Sequence, residues 1–199
     1  MPKTTPLIKV NAVRDLKAKV VLVGNNFDDA LKESKTFCKK NKVNFIHPFD
    51  DPLVIAGQGT VGMEISEQFP ENLYAVFVAV GGGGLIAGIG AYLNKIHPKV
   101  KIIGVEAADS AGLHASVKAG KRVKLKEVGL FADGAAAKQI GKNNYELIKN
   151  FLDDSITVDT DEICAAVKDT FLETRTVPEP TGALALAGLK KYINQKNSY

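Results

Sequence analysis

The alternation of short apolar runs with helix-periodic segments predicts an α/β fold built on parallel strands. Three observations carry it. Tyr74–Val80 (YAVFVAV) is rich in Val and Phe, stops at four consecutive glycines, Gly81 to Gly84, and resumes as an apolar helix-periodic run to Ile96. Val100–Glu106 (VKIIGVE) and Ser155–Val158 (SITV) are two further buried-strand patterns, each followed by a segment with helix-start residues. Strands that alternate with helices need crossover connections, which put the strands parallel.

At the start, Pro6 reads as a first helical residue with Thr5 as its cap, and Leu7, Val10, Val13 and Leu16 follow at helical spacing. Val20–Val23 reads as a short strand ended by Gly24-Asn25-Asn26, residues 28–41 as a charged amphipathic helix, and Val43–Ile46 as another strand. The first fifty residues thus read as αβαβ. His47-Pro48-Phe49-Asp50-Asp51-Pro52 punctuates the chain and reads as a crossing between a domain over 1–50 and a larger one over 51–199. Residues 53–68 hold Gly57, Gly59 and Gly62, and read either as a glycine-rich loop or as a helix with an unusually close neighbour. Residues 109–119 suit a helix capped by Asp109 or Ser110, and residues 139–152 another. Asp159-Thr160-Asp161-Glu162 starts a helix to about Thr174, with Thr160 as its cap and acids in the first turn. Pro178-Glu179-Pro180 is a turn, and Ala183–Ile193 a last apolar helix.

Composition excludes several classes. At 199 residues, 45% hydrophobic and 24% charged, the chain is globular rather than disordered. No apolar run reaches membrane-spanning length, and no signal-peptide pattern opens it, so a cytoplasmic protein is expected. Cys38 and Cys164 lie far apart and read as reduced thiols rather than a disulfide. The net charge of +4 is concentrated in residues 1–50, which carry ten Lys/Arg against five Asp/Glu. Those lysines are spread along helical segments with few aromatics between them, so a solvated face is read, not a nucleic-acid surface. His47, His97 and His114 have no metal-ligand spacing, and no Gly-x-Ser-x-Gly elbow is present.

The glycine stretch holds the chemistry. A strand that turns through four glycines into a helix leaves bare N–H groups at a helix N-terminus, a ready cradle for an anion such as a phosphate. No Gly-Lys-Ser/Thr follows, which excludes a Walker loop. Gly82, Gly84 and Ala87 do match G-x-G-x-x-A, and Glu106 closes the next strand, so a nicotinamide or flavin dinucleotide site competes with other phosphate ligands. A turn that merely packs helix on strand also fits the local pattern.

Six stretches together resemble one family. They are HPFDDPLVIAGQGTVGMEI (47–65), VAVGGGGLIAGI (78–89), VKIIGVEAADSAGL (100–113), GLFADGAAAKQIG (129–141), LDDSITVDTDEICAA (152–166) and EPTGALALAGLKKYI (179–193). They are similar to threonine dehydratase (threonine ammonia-lyase), of the tryptophan-synthase-β-like class of pyridoxal-phosphate enzymes, and closer to its biosynthetic, isoleucine-pathway form. The resemblance implies a fold-type-II enzyme of three-layer open parallel sheets, incomplete at both ends here. It implies pyridoxal 5'-phosphate as cofactor, with its phosphate on the backbone of Gly81, Gly82, Gly83, Gly84 and Leu85. The implied reaction converts L-threonine, with L-serine as an alternative substrate, to a 2-oxo acid and ammonia, the cofactor acting as electron sink.

The departures from the family are equally informative. Its Schiff-base lysine lies in a Ser-x-Lys-x-Arg-Gly-Ala segment, and nothing in these 199 residues matches it; Ser116-Val117-Lys118-Ala119-Gly120-Lys121 lacks the Arg-Gly-Ala. No catalytic residue is therefore assigned. The metal-binding acids of the related serine racemase are matched only by Glu106, with Gly112 where a carboxylate is needed, so no metal site is expected. The chain reads as an internal fragment, expected to turn over little threonine alone. It is also expected to associate with itself or with a complementary N-terminal chain through unpaired strand edges.

Overall fold

A computed structural model describes residues 1–196. They form two compact units, Met1–Ile46 and a second beginning at His47.

The first unit carries α1 (Leu7–Asp15) and α2 (Phe27–Asn41). Pro6 is the residue flanking α1 rather than its first helical one, and Thr5 does not cap it. α2 is opened by Asn26, whose side chain accepts the Asp29 amide. The two strands expected here do not form. Val21–Gly24 bonds to the first residues of the chain: Val23 N–H donates to the Met1 carbonyl, and Lys3 N–H to that of Gly24, both at 2.9 Å. Val43–Ile46 has no ladder partner among the described residues. Both segments have strand composition, but a strand needs a neighbour to take its N–H and C=O groups. Accordingly Val21 and Ile46 stay 52% and 74% exposed.

The second unit is a three-layer α/β arrangement. β1 (Ala75–Ala79), β2 (Lys101–Ala107) and β3 (Leu152–Val158) form one parallel sheet in the order β1-β2-β3. Ala75 pairs with Lys101 and Ala79 with Val105, and Gly104 pairs with Ser155. The sheet's two faces divide the core. Val78, Val80 and Ile102 face α4 (Gly84–Ile96) together with α3 (Pro52–Gln68) and α6 (Lys142–Ile148). Ile103, Val105, Ile156 and Val158 face α7 (Thr160–Thr174) and α8 (Pro180–Lys196). β2, apolar on both faces, is buried along nearly its whole length, as a central parallel strand must be.

The ambiguous stretch after Asp51 is a helix. Asp51 caps α3 by accepting the amides of Leu53 and Val54, and Pro52 occupies the first turn. Gly59 and Gly62, unlike Gly57, sit where α4 passes close, and from the other side a methyl group on Gly88 of α4 would lie 2.5 Å from the Ile55 carbonyl oxygen and 2.6 Å from the Gly59 nitrogen. Several caps differ from expectation. Asp159, not Thr160, opens α7, in a reciprocal capping box with Glu162. Neither Asp109 nor Ser110 caps α5 (Gly112–Ala119), which follows a single 3-10 turn at Ala108–Ser110. α6 is seven residues rather than the fourteen read from its sequence: Gly141 precedes its first residue, and a turn after Ile148 leads into β3 at Leu152. α8 begins at Pro180, earlier than the apolar pattern suggests. Among the described residues, no helix is long and apolar enough to cross a membrane. Both cysteines are free.

Candidate functional site

The glycine stretch connects β1 to α4. Val80 N–H makes the last sheet bond, to the Val105 carbonyl at 2.8 Å. Gly83 then adopts φ +89°, a left-handed conformation that glycine tolerates without penalty, and α4 begins at Gly84 with no side-chain cap. Among the described residues, no backbone N–H from Gly81 to Ile86 has a protein acceptor. Six consecutive open donors at a helix N-terminus make an electropositive concavity suited to a phosphate.

The walls of this concavity explain why the turn is all glycine. A methyl group on Gly82 would lie 2.4 Å from the Phe49 ring, and one on Gly84 2.8 Å from the Phe49 carbonyl oxygen. One on Gly81 would lie 2.8 Å from the Ala135 Cα, and one on Gly83 2.5 Å from the Ile140 δ-methyl. Phe49 is itself fixed: its ring packs edge-on to His47 with centroids 4.7 Å apart. Ile140 is held by Arg122, whose Nε and Nη2 donate to its carbonyl at 3.0 and 2.7 Å. From the α6 side, Asn144 donates through Nδ2 to the carbonyls of Gly82 (2.8 Å) and Phe49 (2.9 Å).

Beyond Gly81, the 3-10 turn Asp133–Ala135 meets the start of α8. A methyl group on Gly134 would lie 2.9 Å from both Glu179 Oε1 and Thr181 Oγ1. Thr181 Oγ1 is buried and has no protein partner. A cleft lined by Ala107, Asp109, Phe131, Val158 and Asp159 opens at the carboxyl ends of β2 and β3. The glycine turn follows the carboxyl end of β1, so these features share the end of the sheet where open α/β folds bind ligands.

Glu106 does not serve a ribose. It is 1% exposed and its two oxygens accept the amides of Leu113 and His114, each at 2.7 Å, which satisfies the first turn of α5. Burial pushes its carboxyl up to about 7, against the opposing pull of those N–H donors. The acid that would complete a dinucleotide fingerprint is thus already engaged. The described residues contain no group of three side chains placed to hold a metal ion.

The structure brings Gly81, Gly82, Gly83, Gly84 and Leu85 together as one loop at the start of α4. Phe49, Asp50, Asn144 and Thr181 are neighbours that sequence reading did not assign. The HPFDD punctuation marked the first two as special without saying what they touch, and nothing local singles out Asn144.

Residues 1–198 match the family described as pyridoxal-phosphate dependent enzyme. The mitochondrial threonine dehydratase of Schizosaccharomyces pombe is 54% identical over 194 residues, 97% of this chain and 32% of that protein. The biosynthetic L-threonine dehydratase of Haemophilus influenzae is 51% identical over 197 residues, 99% of this chain and 38% of that protein. The solved structure of processed threonine deaminase isoform 2 from Solanum lycopersicum matches with a TM-score of 0.93 at 44% identity, covering 99% of this chain and 57% of that one. Serine racemase from Dictyostelium discoideum matches with a TM-score of 0.84 at 30% identity, covering 98% of this chain and 63% of that one. The chain spans 32% and 38% of the length of these two curated relatives.

Proposed function

This chain belongs to the pyridoxal-phosphate dependent enzymes, and on that premise we propose that Gly81–Leu85 is the phosphate loop of its cofactor site. We further propose that the chain is the corresponding part of an L-threonine ammonia-lyase of the biosynthetic type. The run of unbonded N–H groups at the start of α4 is the observation that supports this reading most strongly.

When bound, pyridoxal 5'-phosphate supplies an electron sink for the α-carbon of an amino acid, here L-threonine, with 2-oxobutanoate and ammonia as products. The chain's own residues bind and orient. The amides of Gly81 to Leu85 would hold its phosphate, whose negative charge the α4 dipole favours. Phe49, Ala135 and Ile140 back the loop so that it neither collapses nor admits a side chain. Thr181 Oγ1 offers an unused hydroxyl on the far side of the Gly134 turn. The dinucleotide alternative lacks support, because its acidic residue is already engaged by α5.

Titration of the chain with pyridoxal 5'-phosphate, pyridoxal and NADH tests the reading. Binding that needs the phosphate and ignores NADH is expected; equal affinity for pyridoxal refutes a phosphate loop. No Ser-x-Lys-x-Arg-Gly-Ala segment lies in these residues, so 2-oxobutanoate formation by this chain alone is expected to be slight. Robust turnover in a host lacking its own dehydratases contradicts that.

Among the described residues β1 and β3 each have one strand neighbour, leaving an unpaired edge. We assign those edges to a complementary N-terminal region or a second copy of the chain. A monodisperse monomer in sedimentation at micromolar concentration overturns this assignment. A cytoplasmic location is proposed on the free cysteines, and cell fractionation decides it.

A further inference from the structure

Asn144 is wholly buried, yet it lies on a short helix outside the glycine turn. Both hydrogens of its Nδ2 are spent on carbonyls, one on Phe49 and one on Gly82. The Gly82 carbonyl also accepts Gly141 N–H at 3.0 Å. That carbonyl is therefore pulled toward α6 by two donors. In a trans peptide the next N–H points opposite to the carbonyl. Holding the Gly82 oxygen against α6 thus aims the Gly83 N–H away from it, in the middle of the open donors. The same side chain tethers Phe49, the residue beneath Gly82 and Gly84.

Asn144 is in turn placed by Asp50. The Asp50 carboxylate accepts the amides of Lys142 and Asn143 at 2.9 Å and of Asn144 at 3.2 Å, capping the start of a seven-residue helix that has no cap of its own. The Oδ1 of Asn144 is buried without a partner. A residue kept only to fill space would be apolar, since an orphaned acceptor is unfavourable in the interior.

We propose that Asn144 is the positioning residue of the anion loop, fixing the Gly82–Gly83 peptide so that the Gly83 N–H faces the phosphate, with Asp50 holding Asn144 in place. The ligand part of this rests on the phosphate-loop reading above; the loop-geometry part does not.

The test compares the full chain with Asn144→Ala, Asn144→Asp and a control, Asn150→Ala, which removes a side-chain bond to the Glu146 carbonyl in the segment leaving α6. Loop exchange is read at Gly141 and Ala87, whose N–H groups donate to the loop carbonyls of Gly82 and Gly83, and without ligand it is expected to quicken several-fold in both Asn144 variants and not in the control. The affinity for pyridoxal 5'-phosphate is expected to fall about tenfold while that for pyridoxal holds. Unchanged loop exchange in a folded Asn144 variant overturns the proposal, and so does an equal loss for both ligands. Should Asn144→Ala fail to fold, the near-isosteric Asn144→Asp keeps the test open. Protonated at low pH it regains one donor, so loop exchange corrected for intrinsic pH dependence must slow relative to pH 8, and a flat profile overturns the proposal. If the unaltered chain binds neither ligand, the phosphate-loop reading fails, while the exchange comparison still decides the role of Asn144.

Discussion

Two glycine-to-alanine substitutions on facing helices should have opposite signs. At Gly88 the new methyl group meets backbone: the Ile55 oxygen at 2.5 Å, the Gly59 nitrogen at 2.6 Å and the Gln58 carbonyl carbon at 2.7 Å. Ordinary contact begins near 3.4 Å, so α3 must retreat by about 1 Å, and no rotamer change can relieve atoms of the main chain. Overpacking of this kind costs about 3 kcal/mol, and the better helix propensity of alanine returns about 1 kcal/mol, leaving about 2 kcal/mol of destabilisation. At Gly57, on the exposed side of α3, an added methyl group meets nothing within 4 Å. There only the propensity gain operates, about 1 kcal/mol of stabilisation. With a urea dependence of about 2 kcal/mol per molar, the midpoint should fall by about 1 M for Gly88→Ala and rise by about 0.5 M for Gly57→Ala. Urea unfolding followed by far-UV circular dichroism reads both. A midpoint for Gly88→Ala at or above that of the unaltered chain, with an unchanged slope, refutes backbone contact between α3 and α4.

Burial raises the Glu106 carboxyl to about 7, so the contribution of this group to native stability is fully present below the ordinary carboxylate range and is lost as pH rises through 7. The loss is on the order of 3 kcal/mol, and Glu106→Gln should flatten urea midpoints measured between pH 5 and pH 8; parallel profiles for the two proteins contradict this. Tyr74 is exposed, and the neighbouring Lys101, Tyr192 and Lys196 lower its phenol to about 8. Absorbance titration at 295 nm should find one tyrosine ionising near that value. Lys101→Met should move it up, as should high salt, and a titration unaltered by either disproves the cluster.

Where local pattern and global fold agree, the chain was legible. The Val- and Phe-rich run, the glycines and the apolar helix after them became β1, the turn and α4, because each part has only one way to bury itself. α7 announced itself by acids at its start, though Asp159 and Thr160 are equally good caps on paper. Only the geometry of Glu162, reaching back to the Asp159 amide, decides between them. Val20–Val23 and Val43–Ile46 misled for the opposite reason. Strand composition reports fitness for a sheet, not the presence of a partner, and partnering is a property of residues distant in sequence. The glycines of α3 misled by intrinsic propensity. Gly59 and Gly62 are poor helix formers that persist because α4 passes close by: a methyl group on Gly59 would lie 3.4 Å from the Gly88 oxygen, and one on Gly62 3.0 Å from the Ile89 oxygen.

The same distinction explains the site. The anion loop could be read locally because four glycines before a helix carry its chemistry in the backbone. What holds the loop open could not. Phe49 lies 33 residues before Gly82 and Asn144 62 residues after it, and Asp50 reaches α6 across 92 residues to bond Lys142. Each of these residues is ordinary by type, and none has spacing that suggests a ligand. Their role comes from a chain path that turns three times past one sheet end. A backbone phosphate site has no side chain of its own to set its geometry, so its conformation must be imposed by neighbours. The glycines supply the freedom to curve, and Phe49, Ile140 and Asn144 remove that freedom again in a single conformation.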